Sequence, residues 1–486
     1  MVTLEQIIKK LKEKNILKKT NCNEETKIEF ISYDSRKIKN NTMFFCKGEH
    51  YKTEYLEQAI EKGAVIYVSE EKYDVNLQYI IVSDIQKAMA IIAAEFYGYA
   101  FRDLVTIGIT GTKGKTTVTC FVQNILDEYT KSRTAIISTI NTYTGVTDEL
   151  SQLTTPEAVD LHRLFYEAKQ SGCKYLTMEV SSQGYKKDRV YGVEFKNGIF
   201  LNIGEDHISA REHPNFEDYL HCKIQLVKNS KRVILNKNTD YFNVIYSECK
   251  DKQVITYGTD ETADYYYTNV IKTKLGFKFD VISKKDNYTQ SFEINIPGRF
   301  NIENALVAIT LAKQLNVDDE SIKKGLLKTV VKGRMNVFEK NGITVIVDYA
   351  HNKLSYTKLY ESLKLDYPNR RIISVGGCVG GKAFNRRGEF GTIVGGNSDY
   401  IYLTSVDPQF ENPEDICKDI ALYINDKNKY EIITDRKSAV EKAISNAKSG
   451  DVVVLVGKGE EEYQKINGVS EKYESDLAIA KRMLKI

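Results

Sequence analysis

With 486 residues, 42% hydrophobic and 28% charged, the chain is long enough for about three domains of ~150 residues, each with its own core. A formal net charge of +3 excludes the strongly basic surface of a nucleic-acid or anionic-membrane binder, and no apolar run approaches the ~20 residues that cross a bilayer. The N-terminus lacks the basic and apolar regions of a signal peptide, and eight dispersed cysteines without a Cys-x-x-Cys read as reduced thiols. We therefore expect a cytoplasmic, monomeric, multidomain enzyme with small-molecule substrates and no nucleic-acid or membrane partner.

In chain order, Thr3 opens a helix with capping-box spacing to Gln6, and Leu4, Ile7, Ile8 and Leu11 mark its buried face. Apolar Met43 to Phe45, a helix-like stretch Tyr55 to Lys62, and strands at Ala64 to Val68 and Tyr79 to Val82 complete a small α/β unit over residues 1–100. The next apolar run, Leu104 to Thr110, leads into Gly108-Ile-Thr-Gly111-Thr112-Lys113-Gly114-Lys115-Thr116-Thr117, and Val118, Phe121, Val122, Ile125 and Leu126 follow at helical spacing. Strand, glycine-rich turn and helix make a phosphate cradle. Its backbone N–H groups converge, its lysine reaches the outer phosphates, and a hydroxyl can ligate magnesium. The spacing departs from the strict P-loop, since Ile109 stands six before Lys115 and the glycines lie at 108 and 111.

This second unit, residues 101–332, continues through strands at Tyr175 to Val180 and Gly198 to Asn202 to a helix over Ile302 to Leu315. Alternation of aromatic, branched and polar residues over 253–296 predicts a small antiparallel insertion. A third unit, 333–486, alternates strands at Ile343 to Val347, Arg371 to Val375, Tyr400 to Leu403, Ile432 to Thr434 and Val452 to Val456 with helix-length segments. That order predicts a dinucleotide-fold-like parallel sheet with its site at the strands' C-terminal ends.

Polar groups gather at those strand ends. Glu179 closes a strand near the phosphate loop, where a carboxylate can hold magnesium. Asn202 to Lys223 holds three of the six histidines, His207, His213 and His221. A zinc site is conceivable there, but hard ligands beside a phosphate loop favour magnesium. Pro297-Gly-Arg-Phe-Asn301-Ile-Glu-Asn304 and Asp348-Tyr-Ala-His351-Asn352 add polar clusters on two domains and so suggest a cleft between them.

Taken in order, Gly-Thr-Lys-Gly-Lys-Thr-Thr, Thr154-Thr155-Pro156-Glu157, Met178-Glu-Val-Ser-Ser182, Asp206-His207, Lys223, the Pro297 to Asn304 motif, Gly333-Arg334-Met335 and Asp348-Tyr-Ala-His351 resemble the Mur ligase family of peptidoglycan synthesis. Asp34-Ser35-Arg36 and Gly457-Lys458-Gly459-Glu460-Glu461 most resemble the members that add the third residue of the stem peptide. The resemblance implies ATP-dependent amide formation: the D-glutamate γ-carboxylate of UDP-N-acetylmuramoyl-L-alanyl-D-glutamate becomes an acyl phosphate, which an amine then attacks.

By the same resemblance, Gly111, Thr112, Lys113, Gly114, Lys115, Thr116 and Thr117 bind ATP together with Asn301, Asn304, Arg334 and Asp348. Lys115, Glu179, His207 and Lys223 are catalytic. Thr116 and Glu179 hold one of two magnesium ions, and His207 with Lys223, carbamylated by CO2, holds the other. Thr154, Thr155, Ser181 and Arg189 bind the muramoyl-dipeptide, and Ser35 and Lys47 its uridine diphosphate.

The incoming amino acid is assigned to Arg386, Asp407, Gln409, Gly457 and Glu461. Members that add meso-diaminopimelate carry Asp-Asn-Pro-Arg where Val406-Asp407-Pro408-Gln409 stands here. Gln409 cannot offer a carboxylate the charged fork of arginine, while Asp407 and Glu461 suit a distal ammonium. L-lysine is therefore expected, ahead of L-ornithine or another diamino acid; the basic run Lys382 to Arg387 would bind the α-carboxylate. A folylpolyglutamate synthetase would lack the Asp-Ser-Arg and Gly-Lys-Gly-Glu-Glu modules, and a P-loop switch protein would need no amino-acid site.

Overall fold

The computed structural model describes residues 3–23, 25–48, 51–209, 212–331 and 335–486. Its first helix, Leu4–Glu13, begins as its sequence predicts: Thr3 and Gln6 cap one another reciprocally, and Leu4, Ile7, Ile8 and Leu11 are buried. They pack on a five-stranded sheet with the spatial order Leu17–Thr20, Gln78–Val82, Ala64–Ser69, Thr42–Phe45, Phe30–Ser32, in which the Leu17 strand alone runs antiparallel to its neighbour.

An eleven-stranded sheet forms the middle of the molecule. Seven strands are parallel, in the order Tyr265–Lys272, Gln253–Gly258, Ser230–Asn236, Phe195–Phe200, Val105–Thr110, Tyr175–Glu179, Ala135–Ile137. After Val105–Thr110 the chain builds outward on one side, then returns to the other at Phe195–Phe200. The phosphate loop thus sits at the point where strand order reverses, where crevices open in such sheets. Gly108 lets helix Phe216–Lys228 lie close on this strand, since a Cβ there would come within 2.7 Å of Leu226 Cδ1. The residue that opens the cradle therefore also seats the helix bearing Lys223.

The stretch 253–296 differs from its expected form. Strand Gln253–Gly258 is a parallel member of the main sheet, and only Phe277–Ser283 and Tyr288–Ile294 add antiparallel pairing at its edge. Alternating burial reads the same for either direction of pairing. Lys272 and Phe277 face each other as partners across a hairpin within this stretch.

The third sheet has six strands, in the order Asn336–Lys340, Ile343–Asp348, Val452–Val456, Ile372–Gly376, Tyr400–Leu403, Tyr430–Ile432, parallel apart from the first. Four strands, Ile343–Asp348, Val452–Val456, Ile372–Gly376 and Tyr400–Leu403, place side chains in core clusters on both faces, as a two-sided parallel sheet requires.

One core group is costly in acid. His162 lies within the apolar cluster beneath helix Ala158–Gln170, its ring 5.9 Å from those of Phe101 and Phe165, with neither ring nitrogen hydrogen-bonded. Burial pushes its pKa down to about 3. A histidine with a depressed folded pKa stabilises the fold fully above its ordinary value of 6.5, and this contribution fades as pH falls toward 3. His162→Leu is expected to retain on the order of a few kcal/mol at pH 4 that the parent loses, read as a smaller drop in urea midpoint between pH 7 and pH 4.

Candidate active site

The phosphate loop is locked by its own and neighbouring groups. Lys115 Nζ donates to Gly111 O at 2.8 Å and Thr112 O at 3.3 Å, and Asn202 Oδ1 accepts from Lys113 N at 2.8 Å. Gly114, the N-cap of helix Lys115–Thr130, has φ 88°, and a Cβ there would lie 2.6 Å from Asn304 Oδ1. Only glycine fits that approach. It brings Asn304, with Asn301 bonded to it at 2.9 Å, against the loop from helix Phe300–Gln314.

Lys223 is buried in the same floor. Its Nζ donates to Gly111 O at 2.9 Å and lies 4.7 Å from the Tyr219 ring centroid, while Tyr219 Oη is 3.1 Å from Thr112 Oγ1. Burial, and then the nearby Lys115 charge, push the Lys223 pKa well below the ordinary lysine value, against the opposing pull of Asp206. His207, at φ 58°, lies beside Tyr219 with ring centroids 6.0 Å apart, and its Nδ1 is 3.1 Å from Glu212 Oε1. Among the described residues, His213, Asp218 and Cys222 are the group that could hold a soft metal. Asp218 is already bonded to both His213 and Lys186.

A continuous chain of polar contacts leaves the Glu179 carboxylate. Glu179 is fully buried and accepts from Thr139 N at 2.8 Å and Thr139 Oγ1 at 3.0 Å. Thr139 Oγ1 is 3.1 Å from Thr154 Oγ1, and Thr155 Oγ1 donates to Glu179 O and lies 3.1 Å from Ser181 Oγ. Arg189 donates to Thr155 O at 3.2 Å and pairs with Glu157 at 2.8 Å. Glu157 then holds Lys47 of the first domain at 2.6 Å. The structure thus brings Glu179, Thr154, Thr155, Ser181, Arg189 and Lys47 together. Ser35 bonds instead to Gln58 at 3.2 Å. Of the two residues that complete the line, Glu157 stands out in the sequence through the Thr-Thr-Pro-Glu motif, whereas Thr139 belongs to no motif.

Asp206 joins the second domain to the third. Its carboxylate pairs with Arg386 at 2.5 Å, accepts from Asn352 Nδ2 at 2.6 Å and lies 3.5 Å from Lys113 Nζ, which in turn is 3.1 Å from His351 Nε2. Burial alone would raise the Asp206 carboxyl, but Lys113, His207, Arg386 and His351 hold it well below the ordinary range. Asp348 closes its strand with Oδ2 accepting from Met335 N and Oδ1 from Ala350 N, each at 2.8 Å. Arg334 lies outside the described residues.

A cleft of about 250 Å³ opens beside Asp206 and His207, its far wall formed by Arg386, Asp407, Gly457 and Glu461. Fully buried Lys458 pairs with both acids, 3.0 Å from Asp407 and 2.5 Å from Glu461, so the three groups carry one net negative charge. Gln409 is not among the lining residues. Its backbone, at φ 56°, bridges to hairpin residues Lys465 and Asn467. Neither Lys458 as counter-ion nor Gln409 as hairpin anchor is visible in a motif, which gives residue types without side-chain direction.

Comparison with known proteins adds independent findings. The Mur ligase middle domain matches residues 109–312, and the Mur ligase glutamate ligase domain matches residues 333–459. A UDP-N-acetylmuramoyl-L-alanyl-D-glutamate–L-lysine ligase of Enterococcus faecalis is 41% identical over 93% of this chain and 91% of its own. A UDP-N-acetylmuramyl-tripeptide synthetase of Ligilactobacillus salivarius is 41% identical over 98% and 97%. Among solved structures, a UDP-N-acetylmuramoyl-L-alanyl-D-glutamate–2,6-diaminopimelate ligase superposes with a TM-score of 0.68 at 25% identity, covering 100% of this chain and 99% of that one.

Proposed function

The chain belongs to the Mur ligase family, and from that premise we propose that it joins L-lysine to the D-glutamate γ-carboxylate of UDP-N-acetylmuramoyl-L-alanyl-D-glutamate, using ATP. The observation that carries the choice of amino acid is the cleft wall of Asp407, Glu461 and Lys458. Their single net negative charge complements one distal ammonium, and the arginine that lines the cleft, Arg386, is assigned to the α-carboxylate, which leaves no arginine fork among the described lining residues for a second carboxylate. The lysine-adding relatives support the same reading.

The residues also fit the magnesium ions the family implies. Glu179 is a buried carboxylate that, among the described residues, has neutral donors but no cationic partner, which suits it, with Thr116, to a divalent cation. Lys223 suits a carbamate because burial and the Lys115 charge disfavour its ammonium form, and its Nζ sits in the floor of the phosphate loop against Gly111 O. The lone pair on Nζ attacks the carbon of CO2, an N–C bond forms, and one amine proton leaves to solvent. The product is an anionic oxygen ligand that, with His207, would hold a second cation. The ions supply positive charge against the crowding of phosphate and carboxylate oxygens.

The chain's own groups do the remaining work. Lys115 and Lys113 neutralise the γ-phosphoryl oxygens as the glutamate carboxylate attacks phosphorus and ADP leaves. Asn301, Asn304 and Asp348 hold the nucleotide. Thr154, Thr155, Ser181 and Arg189 align the dipeptide, with Ser35 and Lys47 on the uridine diphosphate. The lysine α-amine, placed by Arg386 on its carboxylate, then attacks the acyl carbon; phosphate leaves, and the amine proton passes to solvent or phosphate. Closure of the third domain over Asp206 keeps water from the acyl phosphate. Reaction in the cytoplasm accords with a chain in which no described helix is long and apolar enough to cross a membrane.

Phosphate release from ATP with the UDP-muramoyl-dipeptide decides the matter. L-lysine is expected to give the highest kcat/KM among L-lysine, L-ornithine and meso-diaminopimelate. Preference for diaminopimelate would overturn the charge argument, and release indifferent to every amino acid would favour a switch protein.

A further inference from the structure

Three segments that carry proposed site groups converge on one fully buried imidazole. His213 Nδ1 lies 2.6 Å from Asp218 Oδ2, and its Nε2 lies 2.9 Å from Ser182 Oγ. A carboxylate only accepts, so Nδ1 carries the proton and Nε2 accepts from the Ser182 hydroxyl. Serine, imidazole and carboxylate stand in the order of a hydrolytic triad, yet Ser182 is 4% exposed and His213 0%, which leaves no room for a substrate carbonyl at the hydroxyl.

Each end of this relay fixes something else. Ser182 is the first residue of helix Ser182–Lys186, directly after its N-cap Ser181, and three residues after Glu179. His213 closes the preceding loop, donating its N–H to His207 O at 3.2 Å and accepting from Ser209 N at 2.9 Å. Asp218 stands in the first turn of helix Phe216–Lys228, steadied by Lys186 at 2.7 Å and about one and a half turns before Lys223. One imidazole therefore ties together the segments bearing Glu179 and Ser181, Asp206 and His207, and Lys223.

We infer that Ser182, His213 and Asp218 form a positioning relay that sets the second cation site, of Lys223 and His207, in register with Glu179 and the dipeptide-binding Ser181. This rests on the two-ion reading above. None of the three touches a reacting atom. Their effect passes through the backbone segments they pin, and a misplacement of about 1 Å at such a site is enough to cost a large factor in rate.

Binding of Mn2+ in place of magnesium, with a non-hydrolysable ATP analogue and read by electron paramagnetic resonance of the free ion, tests the relay. Ser182→Ala removes one hydrogen bond, and His213→Asn keeps an amide N–H near Asp218 while releasing Ser182. Each single variant is expected to weaken the looser of two Mn2+ sites by about tenfold, the double variant no further, with nucleotide affinity unchanged. Unchanged Mn2+ affinities, or losses that multiply in the double variant, would overturn the relay, as would a parent protein that binds a single Mn2+. Should His213→Asn not fold, Ser182→Ala alone decides by the Mn2+ affinity. A parent that binds two Mn2+ but does not join lysine would sink the substrate reading and leave the relay standing.

Discussion

Lys223→Ala is expected to lower ligation by about 10³-fold while the protein remains folded, and formate or acetate at millimolar levels to restore part of the rate. The lysine is buried, yet it makes one hydrogen bond, to Gly111 O, and its ammonium form is strongly disfavoured by burial and by Lys115. Removing it therefore gives up that bond and the contact with the Tyr219 ring without unpairing a charge, and the deletion should fall on kcat more than on thermal stability. A small carboxylate entering the vacated space would supply the oxygen ligand in place of the carbamate. Undiminished activity without added carboxylate would refute the role, and 13CO2-enriched protein should show a carbamate carbon signal that this variant lacks.

Asp206→Ala is expected to cost about 10²-fold in kcat and to loosen the third domain, seen as an increased radius of gyration in small-angle scattering. Asp206 gathers Arg386, Asn352 and Lys113 across the domain boundary, and its removal takes from all three the carboxylate they share. Breaking a buried pair from one side costs about 3–5 kcal/mol, more than replacing both partners would. Pairing the deletion with Arg386→Met should recover stability without recovering activity. An Asp206→Ala protein with the parent's kcat and radius of gyration would show that closure does not depend on this carboxylate.

Much of the site was legible because its chemistry is local in sequence. Glycines at 111 and 114 with Lys115 and Thr116 form their cradle within one turn, and Glu179 closes a strand whose end can be read from its apolar run. Asp206 was legible as a polar strand-end group but not as a domain clasp, since its partners Asn352 and Arg386 lie 146 and 180 residues away. Asp407 and Glu461 were read as partners for a distal ammonium, and the lysine that already pairs with both lay within the quoted Gly457-Lys458-Gly459. Motifs report which groups are present; which way a long side chain turns is settled by packing against strands that are distant in the chain. The same limit applies to Gln409, whose left-handed backbone and bridge to the hairpin depend on residues some fifty-five further on.

The strand order of the central sheet also has a bearing on how the chain is made. Val105–Thr110 pairs with Tyr175–Glu179 and Phe195–Phe200, so the phosphate loop leaves the ribosome about ninety residues before its second flanking strand exists. At roughly 5–20 residues per second, that is an interval of about 5–20 s during which Leu104 to Thr110 has no complete partner. Asp348 waits longer still, because Ile343–Asp348 pairs with Val452–Val456 near the end of the chain. The phosphate loop is therefore framed once Phe200 has been made, whereas Asp348 is framed only near the end of synthesis, and the complete nucleotide grip arrives as a late event.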